Sequence, residues 1–148
     1  MYVIMVFYTY DYTNFPIVKV IFNSEVVNSE VKEFFNEWLR IYDRNEEFVM
    51  LFDVTQVQSP TLWMAYKMVR FIGKLRQQHP QLFKKSYMIF PDYMYMRFLV
   101  NCTFTISKPV SKIWIYWKSS NSGEEIHLDN IIEHYENNPD DFYFIDNR

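Results

Sequence analysis

Two rhythms of hydrophobic positions run along this chain. Continuous apolar, β-branched or aromatic runs occupy residues 2–10, 15–22, 48–52, 86–90 and 113–117, whereas between several of them apolar positions recur every three or four residues. The first rhythm is that of strands and the second that of amphipathic helices. Phe48, Val49, Met50, Leu51 and Phe52 include no polar residue, which predicts a central strand covered on both faces. The first two runs, joined by Asp11-Tyr12-Thr13-Asn14, predict a hairpin made without glycine.

The spacing of Val31, Phe34, Phe35, Trp38, Leu39 and Tyr42 predicts a helix, capped near Asn28 or Ser29 and ending around Arg44-Asn45. A longer helix is expected with Ser59 as cap and Pro60 in its first position, running to His79-Pro80. Its apolar face is broad and its polar stripe, Lys67, Arg70, Lys74 and Gln77, is narrow, as suits a helix lying on a sheet. Gly73 within it is read as a point of close packing. Pro91-Asp92 stops the next strand and opens a third helical segment over 93–104, which Lys108-Pro109 ends. A loop at 119–123 leads to a final helix over 128–135 and the tail 138–148. The expected fold class is therefore α/β: a single domain over 1–148 with a mixed, mostly parallel sheet, helices packed on it, and the order ββαβαβαβα.

Composition narrows the classes without naming one. Aromatics reach 20% and there are two glycines in 148 residues, so the chain is rich in core-forming side chains and poor in flexible turns. The single Cys102 excludes an internal disulfide and reads as a buried, inert thiol in a reducing compartment. The opening MYVIMVFY lacks the basic flank and cleavage site of a secretory signal and is too short to span a bilayer. The expected location is the cytoplasm, with peripheral contact to membranes if lipid is bound.

The carboxyl end of the central strand opens onto Asp53, Thr55, Ser59 and Thr61, the first place to look for a ligand or partner, since open α/β sheets bind outside strand ends. The competing reading has Asp53 capping amides of its own loop. No glycine-rich phosphate loop, Gly-x-Ser-x-Gly, Cys-x-x-Cys or His-Glu-x-x-His occurs, so no enzyme, cofactor or metal is expected. His127 and His134, with Asp129 and Glu133, would suit a metal only if they converged; otherwise they are a solvated acidic helix face.

Charge is strongly segregated. Residues 1–53 carry nine acids and four bases, 54–123 one acid and ten bases, and 124–148 eight acids and one base. Lys67, Arg70, Lys74, Lys84, Lys85, Arg97, Lys108 and Lys112 are candidates for anionic headgroups, phosphates or an acidic protein, unless the acidic ends neutralise them within the fold or an oligomer. Nucleic acid is disfavoured by the overall acidity and the lack of a binding motif.

The pieces Asp53-Val54-Thr55, His79-Pro80-Gln81-Leu82-Phe83-Lys84-Lys85, Phe90-Pro91, Lys108-Pro109-Val110 and Lys112-Ile113 stand in an order and spacing that resembles the core of the CRAL-TRIO lipid-binding family. The resemblance covers a little under half of the chain. His79 stands where the family has Tyr, and the helical extension that usually precedes the domain is lacking. The hairpin start and small size look more like the related STAS fold of anti-sigma-factor antagonists, although the Asp-Ser-Ser-Gly phosphoacceptor start is replaced by Ser59-Pro60-Thr61. The first resemblance implies a module for lipid or an anionic membrane surface, with residues 93–106 meeting acyl chains. The second implies a protein-interaction or regulatory module without a cavity, meeting its partner through the 53–61 loop and the aromatic tail. Phe142, Tyr143, Phe144 and Ile145 are expected to dock on their own sheet or to join a second subunit as a homo-oligomer. An apolar cavity of several hundred cubic ångströms, on the scale of roughly 300–1,000 Å³ for drug-sized ligands, would separate the two.

Overall fold

The computed structural model describes residues 2–4, 7–120 and 126–148. Seven strands form one mixed sheet: β1 (Tyr2–Ile4), β2 (Tyr8–Asp11), β3 (Ile17–Phe22), β4 (Phe48–Asp53), β5 (Phe83–Pro91), β6 (Lys112–Lys118) and β7 (Tyr143–Ile145). Four helices connect them: α1 (Val31–Ile41), α2 (Leu62–Arg76), α3 (Met94–Ile106) and α4 (Ile131–Asn137).

Spatial order in the sheet follows chain order, from β1 at one edge to β7 at the other. Only β3–β4, β4–β5 and β5–β6 pair in parallel, while β1–β2, β2–β3 and β6–β7 are antiparallel. The expectation of a mostly parallel sheet is thus corrected to an even mixture. The order is also longer than expected. The first apolar run folds back on itself as β1 and β2, and the tail supplies β7. Met5 and Val6, inside that first run, lie outside the described residues, as do Asn121, Ser122 and Gly123 of the expected loop.

Each parallel step moves one strand further in the same direction. With crossovers of the same right-handed sense, each helix that connects two parallel strands then falls on the same face. The packing agrees. Phe34 and Trp38 of α1, Phe71 and Leu75 of α2, and Met96 and Val100 of α3 share one core with Val18, Met50, Phe52 and Ile115. The alternate residues Leu51, Tyr87, Ile89 and Tyr116 point the other way and are covered by Ile126, Leu128 and Ile131. β4 is therefore central and covered on both faces, as the unbroken apolar run requires.

Several boundaries moved for local reasons. Thr61, not Ser59, caps α2: its Oγ1 accepts from the Met64 amide at 3.1 Å. The amides of Gln58 and Ser59 are instead held by the Glu25 carboxylate at 2.8 and 2.9 Å, which ties the approach to the helix to the segment after β3. α2 ends at Arg76, before the cis His79–Pro80 peptide. Gly73 is not a packing point, since a Cβ built there would meet nothing within 4 Å. α1 is preceded by a short 3-10 turn over Asn28–Glu30 and followed by another over Tyr42–Arg44, which Asn45 closes in the left-handed conformation at φ 55°. Asparagine here takes the place that glycine fills in glycine-rich chains.

The aromatic wealth of the sequence is concentrated under α1. Phe34 packs against Tyr8, Tyr10 and Phe22, and Trp38 against Phe52, Phe71 and Phe83. Tyr10 donates its hydroxyl to the Phe34 carbonyl at 2.8 Å, Tyr12 to the buried Glu37 carboxylate, and Tyr42 to Gln81 Oε1 at 2.6 Å. Glu37 also accepts from Arg40 at 2.7 Å, so this buried carboxylate is paired.

Burial raises the pKa of Tyr10 and Tyr42 well above the usual range; for Tyr12, burial comes first and the Glu37 hydrogen bond second. Their contribution to stability is complete below the unfolded value of about 10 and is lost as pH rises above it, because the unfolded phenols ionise while the folded ones resist. Equilibrium denaturation should accordingly show stability falling from about pH 10 upward, and replacing Tyr10 by Phe should flatten that decline. A decline unchanged in the Phe variant would place the alkaline transition elsewhere.

Candidate functional site

The sheet has no point at which strand order reverses, so it lacks the crevice that doubly wound sheets open between diverging loops. Asp53, at the end of β4, accepts from both the Thr55 amide (3.0 Å) and the Thr55 hydroxyl (2.6 Å), closing its own loop. Ser59 and Thr61 are engaged as described above. The loop ends face a shallow cleft of about 600 Å³ lined by Thr55, Gln58, Asp92, Tyr93, Lys118 and Ser119. Of the four loop candidates, Thr55 lines this cleft and Thr61 lines a second, apolar pocket.

That pocket is partly open to the surface, measures about 130 Å³, and lies between α2, α3 and the ends of β4 and β5. Its wall includes Phe52, Val54, Leu99 and Phe104 together with four methionines, Met64, Met68, Met88 and Met96. The only polar side chains in the wall, Thr61 and Thr103, spend their hydroxyls locally. Thr61 caps α2, and Thr103 donates to the Leu99 carbonyl at 2.8 Å. Apart from these two hydroxyls the wall is apolar, and the space suits an apolar group. Methionine side chains, unbranched and with several rotatable bonds, let such a wall adjust to what enters.

Outside the cavity, α2 and α3 are unusual for helices on a sheet. Leu62, Trp63, Tyr66, Met94, Tyr95, Phe98 and Ile106 are all exposed, Met94 to 87%. No Asp or Glu occurs on either helix, whereas α2 carries Lys67, Arg70, Lys74 and Arg76, and α3 carries Arg97. The broad apolar face read as a sheet contact is therefore split: Phe71, Ile72 and Leu75 are buried, whereas Leu62, Trp63 and Tyr66 of the N-terminal turns point outward.

The eight candidate cations do not form one patch. Lys67 lies over the Trp63 ring at 5.0 Å and Arg70 over Tyr66 at 5.9 Å, with Lys74 on the same side of α2. Arg97 is drawn to Asp92 at 2.6 Å and stacks on Trp117; that hydrogen bond lowers the Asp92 pKa. Lys84 pairs with Glu47 at 3.7 Å, and Lys85 lies over Tyr87 on the opposite face of the sheet. Lys108 donates to the Arg148 carbonyl at 2.6 Å, and Lys112 is exposed at the start of β6.

His127 and His134 do not converge. His134 pairs with Asp141 at 2.8 Å and Asp129 with Lys19, and among the described residues no group of three or more His, Cys, Asp or Glu is arranged to hold a metal. Phe144 of β7 stacks with Trp114 of β6, so the tail docks on its own sheet. Sequence reasoning missed the outward apolar turns of α2 and α3. The absence of acids between Val54 and Pro91 was the signal that could have marked α2. Among the described residues, no helix is long and apolar enough to cross a membrane. Comparison with known proteins gives no match to a family model, a curated protein or a solved structure, so any functional reading rests on this geometry and on the residues themselves.

Proposed function

We propose that this chain is a non-enzymatic, CRAL-TRIO-like module that binds an apolar lipid group at an anionic membrane surface. The observation that carries the reading is the apolar pocket between α2, α3 and the sheet, bordered by two helices that turn apolar and cationic side chains outward. Helices that combine exposed Leu, Trp, Phe and Met with Lys and Arg and no acid suit an anionic interface. Of the pieces quoted for the resemblance, Asp53 ends β4, Pro91 ends β5, Lys108-Pro109 precedes β6, and Lys112-Ile113 begins it.

Size limits what the cavity holds. A space near 150 Å³ takes a benzene-sized group, so about 130 Å³ accommodates the end of an acyl chain, with the remainder passing out between α2 and α3. Native mass spectrometry of the purified protein is the test. The expected result is a lipid-sized mass adduct that is lost when Ala65, in the cavity wall, is replaced by Phe. Bare protein in both forms would overturn the reading. The same small volume favours a second one, a STAS-like protein-interaction module, because a whole drug-sized ligand needs roughly 300 Å³ or more.

A further inference from the structure

A separate groove, on the other side of α2 from α3, runs between α1 and α2. Its volume is about 600 Å³. The floor is aromatic and aliphatic: Phe35 of α1 and Phe71 of α2 stack at 4.1 Å with their planes 14° apart and bridge the two helices. Val31 and Leu39 continue this floor along α1, and Trp63 and Tyr66 form the wall on α2.

The rim is cationic on both sides. Lys32 comes from α1, and Lys67, Arg70 and Lys74 come from α2. No carboxylate lines the groove, and among the described residues none of these four cations forms an ion pair. The nearby acids of α1 are committed elsewhere: Glu37 to Tyr12 and Arg40, and Glu33 to Arg40 at 3.8 Å. Lys67 and Arg70 are instead held over the Trp63 and Tyr66 rings, which fixes their positive charge beside the apolar floor.

We propose that this groove is the docking site for an acidic amphipathic helix of a partner protein. Shape decides between a peptide and a flat lipid surface. A trough between two helices receives a third helix, whose apolar stripe reaches the Phe35–Phe71 floor while its flanking carboxylates meet Lys32 on one side and Lys67, Arg70 and Lys74 on the other. From Trp63 to Lys74 the wall spans roughly 16 Å at the helical rise, which matches about three turns of such a segment. Charge supplies selectivity, since a basic helix would be repelled from both rims.

The probe is a dye-labelled synthetic helix of about four turns, with Leu and Phe along one stripe and Glu on both flanks, titrated with the intact protein and followed by fluorescence anisotropy. The expected result is saturable binding that weakens with salt and is at least tenfold weaker for the Lys67→Glu, Arg70→Glu double variant. Both sites are on the surface of α2, and circular dichroism checks that the variant is folded. A peptide of the same composition with its stripe scrambled should bind at least tenfold more weakly. Replacing Met94 and Phe98 on α3 by Glu should leave peptide binding unchanged, which separates this site from the lipid-facing surface whether or not lipid is bound there. No binding of the acidic helix, equal binding of its Lys-for-Glu counterpart or of the scrambled peptide, or an unchanged affinity in the double variant would overturn the proposal. So would displacement of the acidic helix from the intact protein by anionic vesicles together with a loss of vesicle binding in the Lys67→Glu, Arg70→Glu variant that exceeds the loss from replacing Met94 and Phe98, since this would give the groove to a membrane.

Discussion

Replacing Leu51 by Asp should leave no cooperatively folded protein. Leu51 is 2% exposed in the central strand, on the face covered by Ile126, Leu128 and Ile131. The substitution loses about 1.5–3 kcal/mol of apolar burial and places a carboxylate among Tyr87, Ile89 and Tyr116, where the cation opposite, Lys19 of β3, is already paired with Asp129. An uncompensated buried charge costs several kcal/mol more, and the sum reaches the roughly 5–15 kcal/mol that holds a typical domain together. A urea titration followed by circular dichroism checks this. A sigmoidal transition close to that of the unsubstituted chain would mean that the face over Leu51 opens readily to water, and the two-sided core described above would be wrong.

The second large effect is expected at the membrane. Replacing Met94 and Phe98 by Glu should weaken binding to anionic vesicles by about 100-fold or more. Both side chains are exposed on α3, so the fold does not depend on them. Each contributes on the order of 1.5–3 kcal/mol if it leaves water, and every 1.4 kcal/mol is tenfold. Reversing the charges of Lys84 and Lys85 should instead change vesicle affinity by less than about tenfold, well short of the roughly 1 kcal/mol that each cation contributes when it lies at the surface. Lys84 already faces Glu47, and Lys85 lies on the far side of the sheet from α2 and α3. Co-sedimentation at two salt concentrations measures both variants. Equal loss from the two pairs would show that α3 does not enter the interface, and no binding by the unsubstituted chain would remove the membrane from the account.

What the sequence determined by itself was local. The apolar run of residues 48–52 could only be a two-sided strand, because no position along it offers a face to water. Its central place was legible for the same reason. The spacing of Val31, Phe34, Phe35, Trp38, Leu39 and Tyr42 specified α1, and the aromatic tail was too apolar to be left in solvent. Prolines marked most element ends, because Pro removes an amide and restricts the residue before it. Cap residues were less legible, as the exchange of Ser59 for Thr61 shows: which hydroxyl caps α2 depends on Glu25, more than thirty residues away, taking the amides of Gln58 and Ser59.

Tertiary structure decided everything that depends on which segments are neighbours. An apolar helical face reads the same whether it meets a sheet, a cavity or solvent. α2 was therefore expected to lie wholly on the sheet, while the structure buries only its C-terminal half and leaves Leu62, Trp63 and Tyr66 outward. The cavity exists only because strand order never reverses, so that consecutive helices stand side by side on one face and their gap closes over β4 and β5. Cations counted together in the sequence are divided by the sheet between its two faces, and only the position of each helix reveals that Lys32 and Arg70, 38 residues apart, border the same groove. Hydrophobic periodicity fixes which way a side chain points from its own element; what stands opposite is fixed by the winding of the chain.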